Sequence, residues 1–308
     1  MALKSQKQVL LAKVEATYGV DPLPTGAANA MLVSGLKINP IVTGSADRKV
    51  IAPYFGNMGK IITERHAEIS FDVELSTSGV FGIPPAYGLL FKGCAMSETI
   101  TAGVSVVYSP ISSLEQSLTL YANVDGMLYK MIGARGNVTA KLSAKGVPML
   151  AFKYIALYAS PSDVVMPAAV LSEFRAPLAV TAQNTTAMFH GYAALVSDFS
   201  FDLGNKMAYR SLINNESVIF GDRSSTGSVA MEQPTMLGKD FFAAVTSGTA
   251  AGMTVTHGTV AGSKVVISMP QAQPTDVQLS DLDGVQMIQM PLQMQPLVGN
   301  DEITLTYN

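Results

Sequence analysis

LVSGLKIN, Leu32–Asn39, returns 163 positions later as LVSDFSFD, Leu195–Asp202. One echo of eight residues carries little weight alone. The weight comes from further matches that keep the same order along the chain. Asp47-Arg48 stands opposite Tyr209-Arg210, and HAEISFDVEL (His66–Leu75) opposite GSVAMEQP (Gly227–Pro234) at an offset near 160, which sets Glu232 against Asp72. Pro84-Pro85 opens the helical stretch AYGLLFKGCAM, because proline is accommodated in a first helical turn. Its counterpart is GKDFFAAV, Gly238–Val245. SLTLYANVDGMLYKMI (Ser117–Ile132) then matches GMTVTHGTVAGSKVVIS (Gly252–Ser268) at about 136, and GVPMLAFKYIALY (Gly146–Tyr158) matches GVQMIQMPLQMQP (Gly284–Pro296) at 138. Asp125-Gly126 is a two-residue hairpin signal, and Ala261-Gly262 occupies the equivalent corner. About 20 extra residues between Ser97 and Ser117 account for most of the drop in offset. The pattern predicts a mainly β chain of two tandem β-sandwich or barrel domains, each with a short flanking α-helix. The domains are expected at residues 1–160, with an N-terminal arm, and 191–308. The proline-interrupted segment 161–190 links them.

The strand faces follow from period-two alternation. Ala67, Ile69, Phe71, Val73 and Leu75 share one face of His66–Leu75, and Glu68, Ser70, Asp72 and Glu74 the other. The acidic face reads either as an ordinary solvated surface or as the wall of a water-filled channel that repels anions. In Val285–Gln295, Ile288, Met290, Leu292 and Met294 face one way and Gln289, Gln293 and Gln295 the other. Pro291 lacks an N–H, so that strand lies at an edge or contains a bulge; Lys153 holds nearly the matching place in the first copy. Ile303–Tyr307 is a final strand that completes its own sheet or pairs with a neighbour.

Composition narrows the classes. Of 308 residues, 14% are charged, against a usual figure of about 25%, and mean hydropathy is +0.29. No apolar run approaches the ~18 residues of a membrane helix. So few charges leave either a surface of Ser, Thr, Gln and Asn or extensive burial against neighbouring subunits, the simpler solution. The Val9–Ala12 run is too short for a secretion signal. One cysteine, Cys94, forms no internal disulfide and fits assembly in a reducing cytoplasm. Residues 1–160 hold 14 Lys/Arg against 10 Asp/Glu, while residues 161–308 hold 6 against 13: +4 and −7. No basic stripe with interleaved aromatics marks adhesive nucleic-acid binding.

No catalytic, cofactor-binding or metal-ligating constellation emerges. His66, His190 and His257 are scattered without ligand spacing, Cys94 lies in an apolar stretch that packs it, and Gly133–Asn137 lacks a P-loop lysine. The 17 methionines suit adaptable packing. The absence of tryptophan argues against a carbohydrate-binding module.

VEATYGVDPLPTGAANAMLVSG (Val14–Gly35) resembles the opening of major tail tube proteins of long-tailed, siphovirus-type bacteriophages. The resemblance continues through ITERHAEISFDVEL, PPAYGLLFKGCAMSETI, VVYSPIS and DGMLYKMIGARGNVTAKLSAKGVPMLAFKY. It covers most of residues 10–160; the second half departs more and rests on the internal repeat. The resemblance implies a β-sandwich or barrel core with a flanking helix, six such domains per ring, and rings stacked into a hollow tube. A doubled chain is similar to the trimeric variant, whose three chains make a pseudo-hexamer. It implies a non-enzymatic virion protein of the phage tail, made in the host cytoplasm, without cofactor. Implied partners are further copies of itself, tape measure, distal tail and tail terminator proteins, and DNA passing without specific binding. Glu68, Asp72, Glu74 and Glu232 are then the candidate lumen-facing residues. The Ser97–Ser117 insertion and the N-terminal arm are candidates for stacking. A capsid decoration or fibre subunit is the alternative.

Overall fold

A computed structural model describes residues 2–48 and 50–308. The chain is mainly β, 53% strand and 5% helix, with a β-sandwich-type architecture. The first half carries β1 (Gln8–Val14), α1 (Gly26–Asn29), β2 (Ala30–Met31), β3 (Ser34–Asp47), β4 (Lys60–Glu74), α2 (Leu89–Lys92), β5 (Met96–Thr101), β6 (Ser105–Pro110), β7 (Leu118–Val124), β8 (Met127–Ser143), β9 (Met149–Tyr158) and β10 (Ser162–Asp163). The second carries β11 (Thr185–Phe189), β12 (Tyr192–Ala193), β13 (Val196–Asp202), β14 (Asn205–Leu212), β15 (Asn215–Arg223), β16 (Thr226–Glu232), α3 (Phe241–Ser247), β17 (Ala251–His257), β18 (Val265–Pro274), β19 (Gln278–Leu282), β20 (Val285–Gln295) and β21 (Thr304–Tyr307). No helix among the described residues is long and apolar enough to cross a membrane.

Strand pairing follows one order in both halves. In the first it runs β2–β1–β7–β8–β9–β4–β3. In the second it runs β12–β11–β17–β18–β20–β16–β13. β10 and β21 also take matching places, beside β8 and β18. Even irregularities correspond. The β3–β4 pair breaks register between Gly44 and Ser45, and the β14–β15 hairpin between Lys206 and Met207, each with one extra residue on the returning strand.

Local chemistry explains the elements. Along β4, Ala67, Ile69, Phe71 and Val73 are all at most 2% exposed, as is Leu75 just beyond it, so period-two alternation holds. Asp125 and Gly126 both adopt positive φ, 46° and 100°, the conformation a tight β7–β8 corner requires. α2 is a single turn, Leu89–Lys92, shorter than the helical stretch expected over Ala86–Met96; Pro84-Pro85 precede it and Met96 already begins β5. α3 is capped by Asp240, which accepts the Ala243 N–H at 2.8 Å, and ends on left-handed Gly248. β20 is a central strand, between β16 on one side and β18 and β19 on the other. Pro291 sits where β18 gives way to β19, so its missing N–H falls at the interruption, the bulge that proline demands.

Three placements differ from expectation. β11 forms within the segment 161–190 and pairs with β17. The Ser97–Ser117 insertion is largely the β5–β6 hairpin, whose β6 pairs with β21 inside the same chain. The N-terminal arm is a sheet strand, β1, lying along β7. Sequence patterning could not reveal these long-range partners.

One apolar core runs through both halves. Phe91 meets Tyr108 at 4.7 Å between ring centres, and Tyr108 meets Tyr307 edge-on at 5.7 Å. The Tyr87 and Tyr307 hydroxyls lie 3.2 Å apart, tying the last strand to the first half. A second tie is polar. The buried Glu15 carboxylate accepts Gly19 N–H at 2.8 Å, Ser117 Oγ at 2.6 Å, Thr119 Oγ1 at 2.6 Å and Gly133 N–H at 2.7 Å. These four donors saturate it and clamp the segment after β1 onto β7 and β8. Glu15→Leu strands all four donors in a dry site, at about 3 kcal/mol. Thermal melting should show Tm lowered by about 6–12 °C.

Candidate functional site

Eight strands continue without a break from one end of the chain's sheet to the other: β3–β4–β9–β8–β13–β16–β20–β19. The crossing point is β8. One edge of its N-terminal half pairs with β7, and the same edge, from Thr139 to Ser143, pairs with β13. Phe199 and Phe201 of β13 and Ala140 and Leu142 of β8 are buried beneath that junction.

The other face of this sheet carries the polar side chains, interleaved with apolar ones such as Ala151, Ile155 and Met287. On β4 it presents Glu68, Ser70, Asp72 and Glu74, the side chains opposite the buried set. Glu232 stands on the same face at the end of β16. Through the β9 and β20 registers, however, Glu232 takes the place of Glu74, and Ala230 that of Asp72. The equivalence drawn from sequence is thus two residues off, because unequal connections shift the offset locally.

Register lines bring distant residues together. Asp72, Ala151, Thr139 and Asp202 lie in one line across β4, β9, β8 and β13. Sequence reasoning missed Asp198 and Asp202. The signal was present in LVSDFSFD, where inward Phe199 and Phe201 force Asp198, Ser200 and Asp202 outward. It also missed the lysines. Lys37 on β3, Lys141 on β8 and Lys153 on β9 share the β4 carboxylates' face, and Lys153 Nζ stands 3.8 Å from Glu68. Across the face, six carboxylates (Glu68, Asp72, Glu74, Asp198, Asp202, Glu232) meet three lysines. All three lysines belong to the first half, so its carboxylates are balanced. The second half has none and adds Gln278, Gln289 and Gln293. Asn137 Nδ2 bonds Asp202 Oδ1 at 2.6 Å, and Ser200 and Ser228 hydroxyls meet at 2.8 Å.

At the His66 end the face is covered by the chain itself. The β14–β15 hairpin lies there, with Tyr209 stacked on His66 at 5.1 Å. Arg135 lies over the Tyr18 and Phe220 rings and donates to Val218 O at 3.0 Å.

A family model for phage tail tube proteins matches residues 5–308, nearly the whole described chain and both halves of this sheet. The chain belongs to the phage tail tube protein family. It is a structural component of the phage tail. No curated protein matches the chain.

Among the described residues no group of three or more His, Cys, Asp or Glu could hold a metal ion. Burial pushes the Cys94 thiol up to about 12, against a weak opposing contact with Tyr154. Native tail tube protein should therefore resist thiol-specific reagents at pH 8 and react fully once unfolded, as mass spectrometry would record. Burial also lowers the pKa of His190, against its 2.7 Å bond to Ala272 O, and of His257. The unfolded chain protonates both near pH ~6.5, whereas the native state does so only at lower pH. Stability therefore falls as pH drops through and below about 6.5. The His190→Asn variant should lose less stability between neutral and acid pH than the parent, in urea unfolding followed across pH.

Proposed function

We propose that three chains close into a ring of six units, that rings stack into a hollow tube, and that double-stranded DNA passes through it into the host. The eight-stranded sheet with one polar face carries this reading, because it spans both halves and ends in strands with no further partner among the described residues. The shared pairing order supports a single β unit present twice, the pseudo-hexameric arrangement that family resemblance implies. Three chains supply twenty-four strands. With strands about 4.8 Å apart and tilted about 40°, the backbone barrel is about 48 Å across. Side chains of about 5 Å on each wall leave roughly 35–40 Å, enough for a duplex.

The polar face lines this bore. Its carboxylates and glutamines offer phosphates no sustained attraction, while the three first-half lysines are offset by three first-half acids, Lys153 standing 3.8 Å from Glu68. DNA is weakly repelled as a whole and is not held at any position. The exposed tip of the β5–β6 hairpin, with Ile100 and Val104 about half exposed, is the stacking contact, and the tube meets tape measure, distal tail and tail terminator proteins along its length and at its ends.

Two measurements test this. Negative-stain electron microscopy of the purified protein should show hollow rods or annuli; solitary globules at every concentration contradict the reading. Changing Glu68, Asp72 and Glu74 together to Lys should leave tube assembly intact and slow genome ejection by about tenfold at low salt, less at high salt. Ejection at the parental rate removes their role in the bore.

A further inference from the structure

The pairing that joins the two halves of one chain is a template for the pairing between chains. In that junction Asp198–Asp202 of β13 run antiparallel to Ser143–Thr139 of β8. Each partner has a counterpart. Ile38 faces Ile69 on β4 as Phe201 faces Gly227 on β16, so β3 occupies the place of β13 at an offset of 163. Lys141 faces Met149 on β9 as Ser280 faces Met287 on β20, so β19 occupies the place of the end of β8 at an offset of 139. Among the described residues β3 pairs only with β4, and β19 only with β20. One chain thus carries two complementary unpaired edges, one at each end of its sheet.

Side chains beside these edges are apolar and incompletely covered. Leu279, the counterpart of buried Ala140, is 58% exposed, and Leu36 and Ile38, counterparts of buried Phe199 and Phe201, are only half-buried. The one departure is Asp281 in the place of Leu142, near the end of β19.

The hairpins give a second, independent indication. β14–β15 rests on β8 and β9, where Val218 is fully buried, its N–H bonded to Tyr18 Oη at 2.6 Å, and Asn205 Nδ2 reaches Cys94 O at 2.7 Å and Gly136 O at 3.0 Å. Its counterpart in the first half, the distal part of β3–β4 with the matching bulge, has no such seat among the described residues. Ile61 and Ile62 are 55% and 56% exposed there. Residues 42–66 carry four Lys/Arg against two Asp/Glu, and the half of the molecule that would receive them carries −7.

We propose that β3 of one chain pairs antiparallel with β19 of a second copy, with Asn39 opposite Gln278 and Lys37 opposite Ser280. The 42–66 hairpin then lies across β18 and β20 of that copy, as β14–β15 lies across β8 and β9. Unpaired edges are thereby used up at every seam, which removes the aggregation hazard an open sheet carries. The proposal rests on the ring reading and specifies its contact. Opposite charge across each seam favours alternation of the two halves around the ring.

Cysteine pairs decide it. Tubes built from the Lys37→Cys, Ser280→Cys double variant should, on mild oxidation, give chains linked in twos and threes and no longer species. The slipped pair Lys37→Cys, Leu279→Cys should give at least tenfold less, since Leu279 lies on the opposite face of its strand. In parallel, Leu279→Asp alters a side chain already exposed in the single chain, so it should leave monomer melting unchanged and reduce ring formation at least tenfold. Tubes that form normally but do not cross-link through the in-register pair, or that tolerate Leu279→Asp, overturn this seam and leave the tube reading standing. Failure of the parent chain to form annuli would instead overturn the reading beneath it.

Discussion

A β-strand edge presents a row of N–H and C=O groups that must be paired, covered or left to water, and this constraint organises the molecule. β8 meets it by length. Its 17 residues outrun β7, and the remaining edge is taken by β13 from the other half. That single overlap turns two seven-stranded pairings into one eight-stranded sheet that crosses the chain. Among the described residues, the same overlap leaves β3 and β19 as unpaired ends of opposite character. In the proposed ring, assembly follows from the edges that the fold cannot satisfy alone.

Charge is distributed to match. A wall lined with carboxylates alone would repel its own neighbours across the sheet as well as DNA, since like charges on adjacent strands are destabilising. The first half offsets Glu68, Asp72 and Glu74 with Lys37, Lys141 and Lys153. The second half instead dilutes its acids with glutamine, serine and threonine, groups that stay hydrated without a net field. The low charged fraction of the whole chain agrees with a subunit whose sides are to be covered by others.

Much of the fold was legible. The alternation of His66–Leu75, the Asp125-Gly126 corner, the helix after Pro84-Pro85 and the buried set of β20 all depend on neighbours in sequence, which patterning reads directly. What patterning missed depends on partners far along the chain. Nothing local says that the 97–117 insertion pairs with the last strand, or that Glu15 gathers donors from the start of β7 and from β8. For the polar face, β4 was readable because its alternation is uninterrupted. Asp198 and Asp202 were hidden behind the repeat they belong to, and the compensating lysines sit on three strands whose adjacency is purely tertiary. The two-residue error at Glu232 has the same origin, an offset averaged over connections of unequal length.

The most direct test of the account is a helical reconstruction of the assembled tube by electron cryomicroscopy, at a resolution that separates strands. The account predicts three chains per ring and an unbroken inner sheet in which β19 of each chain lies antiparallel beside β3 of the next, polar side chains inward. A ring whose β3 and β19 edges face solvent, or whose bore is lined by the face bearing Ile69, Phe71 and Val73, would contradict it.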